Sequence, residues 1–221
     1  EALLESAGVY LKTFSDKSRD EIETLFESVK SSADLDEMEV IAESYCEEFK
    51  HVIVLGIGGS SLGGQTLSAL TPFFGNRAVD QTLTRPNLYF IENIDPNSFE
   101  LLFQQIEPED TGFLVISKSG HTAETISQFI YCLDVFRSRV GKNKLKNHFT
   151  SITDPGYRPL REISERHDIN VLDHNPKIGG RYSALSATGM VPALIAGLDG
   201  EALRDGAADL INLVIKNFYQ V

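Results

Sequence analysis

Short apolar runs alternate along the chain with longer stretches in which apolar residues recur every three or four positions. Several of the short runs are rich in β-branched residues and end at glycine or a polar residue, which is typical of strands buried on both faces. They occupy residues 51–57, 87–92, 112–117, 148–153 and 169–172. The helical stretches occupy residues 62–70, 98–105, 122–140, 155–167, 184–197 and 201–218, and two acidic helices are predicted within 16–49 with a break at Ser32 or Asp34.

Strands that alternate with helices indicate a parallel sheet covered on both faces. We therefore predict the α/β class, as a three-layer α/β/α sandwich with a five-stranded parallel sheet and helical N- and C-terminal extensions. A chain of 221 residues with 42% hydrophobic residues can bury such a core without disulfides or metal ions. Cys46 and Cys132 lie far apart and outside any metal-ligand motif, so two reduced thiols and no metal site are expected.

Acidic residues outnumber basic ones by 32 to 20, which gives a net charge of −12. Such a surface repels phosphate backbones and anionic lipids, so we expect neither a nucleic-acid nor a membrane partner. A phosphate-bearing ligand must then be held locally, by backbone amides and a few cations. The chain has no apolar run of the roughly 18 residues that a membrane span needs, and it starts with neither Met nor a basic segment. It is predicted to be cytoplasmic and to begin inside a longer protein.

The first chemically unusual segment, which we name the glycine loop, comprises residues 56–64 and follows the first predicted strand. Five of its nine residues are glycine, in a chain with 17 glycines in total. Glycine lets backbone amides approach a ligand closely, and the following helix adds free N–H groups. A dinucleotide site needs glycine where Ser61 stands, and a triphosphate loop needs a lysine that the segment lacks. Two interpretations of the glycine loop remain: a site for a phosphate or polyol, or a tight turn without a ligand.

The second segment, the hydroxyl loop, comprises residues 117–125 and follows the third predicted strand. It holds four Ser and Thr hydroxyls together with Lys118, directly before a long helix. A phosphate monoester presents three oxygens and close to two negative charges, which clustered hydroxyls and helix-start amides can satisfy. The alternative is a helix cap, although a cap needs only one hydroxyl.

The third segment, the arginine loop, comprises residues 178–183 and follows the last predicted strand. Two glycines precede Arg181, so we expect the chain to turn sharply and present the guanidinium inward. An arginine in that place can hold a carboxylate, a phosphate or a developing enediolate through two parallel hydrogen bonds. The alternative is an ordinary surface arginine after a turn.

Read in order as GIGGSSLGG, ISKSGHTAET and GGRYSALSATG, the three segments resemble the glucose-6-phosphate isomerase family, specifically its amino-terminal sugar isomerase (SIS) domain in the bacterial form. The resemblance runs from about His51 to Asp199. It implies a flavodoxin-like SIS domain at residues 51–200, a helical segment at 1–50 before it, and a C-terminal helix at 201–221 that leads to a second SIS domain. It also implies aldose–ketose isomerisation of hexose 6-phosphates, in glycolysis and gluconeogenesis, without metal or redox cofactor.

The same resemblance implies roles for individual residues. Arg181 matches the arginine that stabilises the enediolate intermediate. The positions that match contacts to the sugar phosphate are Gly59, Ser60, Ser117, Lys118, Ser119, Thr122 and Thr125.

The resemblance also implies what this stretch of sequence lacks. The glutamate base and the histidine and lysine that assist ring opening have no matching residue, and we expect them beyond Val221 in the second SIS domain. The chain alone is then expected to bind a hexose 6-phosphate without isomerising it, and a homodimer is expected from the family. Without the second domain, we expect uncovered apolar helix faces near residues 184–197 or 211–218. The alternative functions are a phosphosugar-sensing SIS module that never catalyses and, much more weakly, a nicotinamide-dependent dehydrogenase.

Overall fold

The computed structural model describes residues 29, 33–71 and 85–218, with the side chains of 214–218 left out. Five strands form one sheet: β1 (His51–Leu55), β2 (Asn87–Ile91), β3 (Thr111–Ile116), β4 (Phe149–Thr153) and β5 (Asn170–Asp173). Eight helices accompany them in the described residues: α1 (Leu35–Glu48), α2 (Gly59–Ser68), α3 (Pro96–Phe103), α4 (Ala123–Val140), α5 (Lys142–Leu145), α6 (Pro159–Arg166), α7 (Ala187–Ala196) and α8 (Gly200–Phe218). Three 3₁₀ turns lie at Pro108–Asp110, Lys146–His148 and Gly180–Leu185.

The strands lie in the order β2-β1-β3-β4-β5, and every pairing is parallel. The register pairs His51 of β1 with Asn87 on one side and with Thr111 on the other. The direction of strand addition reverses between β1 and β3, and this is the point at which sheets of this order bind their ligands. The predicted five-stranded parallel sheet of the flavodoxin-like type is confirmed.

Helices cover both faces of the sheet, and successive strand residues point to opposite faces. On one face Val52, Val54 and Leu114 pack with residues of α1, α2 and α7. On the other face Phe113 stacks on Phe149 at 4.5 Å and joins residues of α3, α4 and α6. This arrangement confirms the three-layer sandwich.

Helix α7 is the most deeply buried of the helices that the structure describes. Nine of its ten residues are buried, against neighbours that include α1 and α2. The expectation of an uncovered apolar face near residues 184–197 is therefore wrong for α7, because helices of this chain already cover it. In α8, by contrast, Leu210 and Leu213 are exposed.

Helix α1 begins directly after Asp34, one of the two predicted break points, and of the first acidic helix the structure describes only residue 29, which is helical. Helix α2 begins at Gly59, three residues earlier than predicted, so Gly59 and Ser60 form its first turn. Within residues 33–71 and 85–218, no helix is both long and apolar enough to cross a lipid bilayer. Both Cys46 and Cys132 are free thiols. The boundaries at residues 50 and 200 stay predictions.

Candidate functional site

The three unusual loops meet at the carboxyl edge of the sheet. The glycine loop follows β1 and the hydroxyl loop follows β3, and these two strands are neighbours at the reversal point. The arginine loop follows β5, an edge strand, and returns toward the end of β1. There the Ser183 hydroxyl donates to the carbonyl of Gly59 at 3.1 Å. The fold therefore gathers three segments that lie far apart in sequence.

Backbone atoms of the glycine loop and the arginine loop also lie close together. A Cβ atom on Gly59 would lie 2.0 Å from the carbonyl oxygen of Gly180, so no larger residue fits there. Gly58, just before, has φ of +56°, which L-residues rarely adopt. By contrast, a Cβ on Gly180 would meet nothing within 4 Å, and neither Gly179 nor Gly180 has positive φ. The chain does turn at Gly179 and Gly180, without positive φ, whereas the close approach of the two loops requires glycine at Gly59.

The hydroxyl loop joins two of its hydroxyls to each other. Ser117 Oγ lies 2.9 Å from Thr122 Oγ1, and Thr122, although it stands at the N-cap of α4, makes no side-chain cap hydrogen bond. Thr125 is fully buried in the first turn of α4, and its hydroxyl has no hydrogen-bond partner among the described residues. In the described part of the chain, Thr122 therefore does not cap α4 with its side chain, which is the alternative that the sequence left open.

The predicted phosphate-binding residues differ in their exposure. Ser117 and Thr125 are buried and form the floor of the loop, whereas Ser60 and Thr122 are half-buried and Ser119 is exposed. The Ser119 hydroxyl accepts a hydrogen bond from the backbone N–H of residue 121.

Lys118 is directed away from the hydroxyls beside it. Its Nζ donates to the carbonyl oxygens of Ile178 at 2.6 Å and of Pro176 at 3.1 Å, both in the segment that leads into Arg181. Two of the three ammonium N–H groups are thus occupied by backbone carbonyls. The hydroxyl loop and the arginine loop are linked by this side chain.

Arg181 lies in the 3₁₀ turn Gly180–Leu185 and is exposed. Within residues 33–71 and 85–218 its guanidinium makes no hydrogen bond or ion pair. Its five N–H donors therefore have no protein partner in this part of the chain, and its exposure does not bear out the expected inward orientation.

Sequence reasoning missed a buried polar cluster beneath the arginine loop. His174 Nδ1 lies 3.2 Å from Asp154 Oδ1, and its Nε2 lies 3.5 Å from Ser186 Oγ. Because a carboxylate only accepts, Nδ1 carries the proton and the tautomer is set. Burial lowers the pKa of His174, and although the Asp154 carboxylate opposes this shift, the Lys118 ammonium adds to it. A lone histidine and a lone aspartate after separate strands gave no spacing signal that could have revealed the pair.

Arg158 also lies beside the hydroxyl loop, and its sequence context gave no hint of this. Its Cβ would be 2.7 Å from a Cβ on Gly120, which has φ of +65°. No cluster of three or more His, Cys, Asp or Glu side chains in the described part of the chain is arranged to hold a metal ion.

The sequence of this chain matches the model of a known protein family. The phosphoglucose isomerase model matches residues 7–216 of the chain. The chain belongs to the phosphoglucose isomerase family. The resemblance that the three loops carry is thereby confirmed.

Two curated relatives of this chain from the phosphoglucose isomerase family are bacterial proteins. It is 37% identical over 175 residues to the glucose-6-phosphate isomerase of Carboxydothermus hydrogenoformans. It is 39% identical over 177 residues to that of Rubrobacter xylanophilus. The alignments cover 79% and 80% of this chain but 38% and 40% of the relatives. The chain thus spans about two-fifths of the length of the curated relatives it matches.

Solved structures agree with this family assignment. A hypothetical protein from Thermus thermophilus matches with a TM-score of 0.77 at 27% identity, over 94% of this chain and 47% of that one. A glucose-6-phosphate isomerase from Chlamydia trachomatis matches with a TM-score of 0.57 at 25% identity, over 76% of this chain and 30% of that one. Tagatose-6-phosphate ketose/aldose isomerase from Escherichia coli shares the fold at 13% identity, with a TM-score of 0.51 over 90% of this chain and 52% of that one.

Proposed function

We propose that this chain is the phosphosugar-binding domain of a glucose-6-phosphate isomerase, and that it binds a hexose 6-phosphate at the carboxyl ends of β1 and β3. The observation that carries the proposal is the hydroxyl cluster at the start of α4. Among the residues that the structure describes, the side chains of Ser117, Thr122 and Thr125 cap no helix, and the buried hydroxyl of Thr125 has no hydrogen-bond partner. Hydroxyls held in this way, together with helix-start amides, suit the three oxygens of a phosphate monoester.

The phosphate is assigned to surface groups that the fold already orients. Ser60, in the first turn of α2, and Ser119 and Thr122, before α4, lie at neighbouring strand ends. Both helix N-termini place positive dipole ends at this edge, which favours an anion locally in a chain with a net charge of −12. Ser117 supports Thr122 from below, and Thr125 lies deeper in the same floor.

Arg181 is assigned to the reacting end of the sugar. Moving a proton between C1 and C2 builds negative charge on the oxygens of an enediolate. An arginine stays protonated at any working pH and offers two parallel N–H donors, so it stabilises that charge more than the neutral substrate. A free and exposed guanidinium in a loop that touches Gly59 supports this assignment.

The remaining catalytic groups are assigned to a second SIS domain. No residue of this chain matches the glutamate base or the ring-opening histidine and lysine of the family. The longer curated relatives support a partner domain, since this chain spans about two-fifths of their length. We extend the proposal to a homodimeric, cytoplasmic enzyme of glycolysis and gluconeogenesis, in which this domain alone binds but does not isomerise. The missing groups account for the lack of turnover, because general acid–base groups typically contribute about 10²–10⁴-fold to rate.

The test is a titration of the ¹⁵N-labelled chain with fructose 6-phosphate, with fructose as the control ligand. We expect shifts at the amides of Gly59, Ser119 and Thr122 with the phosphorylated sugar alone. Replacing Ser117 by Ala and Thr122 by Val should weaken binding by about tenfold or more, since hydrogen bonds to a charged group are the strong ones.

The matched control is Ser138→Ala, which removes an exposed hydroxyl near the other end of α4. It should leave binding unchanged. Shifts confined to another surface, or equal affinities in the double variant and the wild type, would refute the phosphate site. A coupled assay should detect no conversion of fructose 6-phosphate by the chain alone, and robust turnover would show that a base has been overlooked.

A further inference from the structure

The Lys118 side chain links two loops that belong to different strands. It starts in the hydroxyl loop after β3, and its Nζ reaches the carbonyls of Pro176 and Ile178 after β5. Strand β4 lies between β3 and β5, so this contact spans the width of a whole strand. Residues 58 and 60 positions apart in sequence are joined by it.

The backbone of Lys118 is itself fixed. Its carbonyl accepts hydrogen bonds from the Asp154 amide at 2.9 Å and from Thr153 Oγ1 at 3.3 Å, both at the end of β4. Because the backbone of Lys118 is held in place, its ammonium can hold the carbonyls of Pro176 and Ile178 in a fixed position. What Lys118 holds is the segment directly before the first glycine of the arginine loop.

Lys118 is half-buried, and its ammonium lies against the segment that precedes Arg181. Its charge contributes to lowering the pKa of the buried His174, which places it near the His174–Asp154 pair. Ile178, whose carbonyl it holds, is 2% exposed, and its amide donates to the carbonyl of Asn175 at 3.0 Å. The segment before Arg181 thus forms a turn, and the Lys118 side chain donates hydrogen bonds to it.

We propose that Lys118 is a positioning residue: its ammonium holds the segment from Pro176 to Ile178, directly before the glycines of the arginine loop, and so fixes the position of Arg181. This role differs from that of a counter-charge for the phosphate, which the family resemblance suggests for the same residue. The inference rests on the proposed function for the role of Arg181, but the ordering of the loop can be tested without any ligand.

The ligand-free test is hydrogen exchange at the amides of Ile178 and Tyr182, which donate to carbonyls within this segment. Lys118→Met should accelerate exchange at both amides by about tenfold or more, while Phe129 within α4 keeps its rate. Lys118→Arg, which keeps donors of similar reach, should restore most of the protection. Lys144→Met, at an exposed lysine of α5, is the matched control and should change neither amide. If the methionine variant does not fold, Lys118→Gln tests the same point, because its shorter side chain cannot reach both carbonyls.

The ligand test compares sorbitol 6-phosphate with 6-phosphogluconate, which differ in whether C1 carries a carboxylate for Arg181. In the wild type the second ligand should bind about tenfold more tightly, and Arg181→Met should abolish that preference. Lys118→Met should lower the preference severalfold and change the affinity for sorbitol 6-phosphate by less than about threefold.

Three results would overturn the proposal: unchanged exchange in Lys118→Met, an unchanged preference in that variant, or a large loss of sorbitol 6-phosphate affinity with the preference retained. The last result would make Lys118 a phosphate ligand. If the wild type binds neither ligand, or Arg181→Met keeps the preference, the proposed function fails instead, and the exchange rates still decide whether Lys118 orders the segment.

Discussion

At Gly59 the backbone of the glycine loop and that of the arginine loop leave no space for a methyl group. A Cβ there would sit 2.0 Å from the Gly180 carbonyl oxygen, which is backbone and has no rotamer to change. Relief requires that one loop move, and Ser183, which bonds the Gly59 carbonyl, would move with it. Both the fold and the proposed site therefore depend on the absence of a side chain at Gly59.

We predict that Gly59→Ala lowers the free energy of unfolding by about 1–3 kcal/mol, the usual cost of overpacking. Urea denaturation measures it. Gly180→Ala is the control at the other side of the same contact, and since a Cβ there meets nothing within 4 Å, it should cost much less. Equal losses in the two variants would show that the loops do not touch as described.

The sequence allowed the hydroxyl-rich and glycine-rich segments to be located, but it could not reveal how each side chain is used. Ser117 and Thr122 were recognisable because hydroxyls are concentrated before a helix. The direction of Lys118 and the pairing of Asp154 with His174 were not, because each depends on a contact between separate strand ends. Such contacts become visible only when the strand order is known.

At the scale of elements, periodicity located all five strands and six of the helices to within a few residues at each end. The largest discrepancies have local causes. Helix α2 starts early at Gly59 because a glycine-rich first turn shows no apolar period. Helix α6 starts late at Pro159, because residues 155–158 contain Gly156 with φ of +86° and form a turn.

Helix α8 is joined to the start of α1 by an ion pair that sequence could not suggest. Arg204, with 4% of its side chain exposed, donates to both carboxylate oxygens of Asp34, at 2.6 and 2.9 Å. We predict that Arg204→Met lowers the free energy of unfolding by about 2 kcal/mol, because a two-fold charge-assisted contact of a buried arginine is lost.

The control for α8 is Arg166→Met, which breaks an exposed i,i+4 pair with Glu162. That change should cost no more than about 0.5 kcal/mol, as surface pairs usually do. If thermal or urea unfolding shows the two arginines to be equivalent, α8 is not held to the domain by Arg204.

At the scale of the whole molecule, the buried imidazole of His174 couples global stability to pH. Burial lowers its pKa in the folded state, against an opposing effect of Asp154 and a reinforcing one of Lys118; Arg161 lies against the Asp154 carbonyl. As pH falls through the unfolded value of about 6.5, the unfolded chain takes up a proton that the folded chain does not. Stability should therefore fall with pH below about 6.5, by at most about 1.4 kcal/mol per pH unit from this group.

Unfolding free energies at about pH 7.5, 6.5 and 5.5, values that bracket the ordinary pKa of histidine, measure this effect in the wild type and in His174→Asn. The asparagine variant keeps a donor toward Asp154 but cannot titrate, so its stability should depend less steeply on pH over this interval. His167→Asn, outside the cluster, controls for the loss of a histidine. Parallel curves for wild type and His174→Asn would contradict the assignment.

Because the chain returns from β5 to Gly59, the proposed site has separate loops for binding the phosphate and for contacting the reacting end of the sugar. In the proposed site the phosphate-binding residues follow β1 and β3, in the middle of the sheet, whereas Arg181 lies in a segment that returns from the edge strand β5. If the proposed site is correct, inserting or deleting residues in segment 175–178 should shift Arg181 relative to the sugar and leave the phosphate-binding residues in place. Lengthening that crossing is thus a route by which this architecture could be adapted, in evolution or by engineering, to sugars of different length.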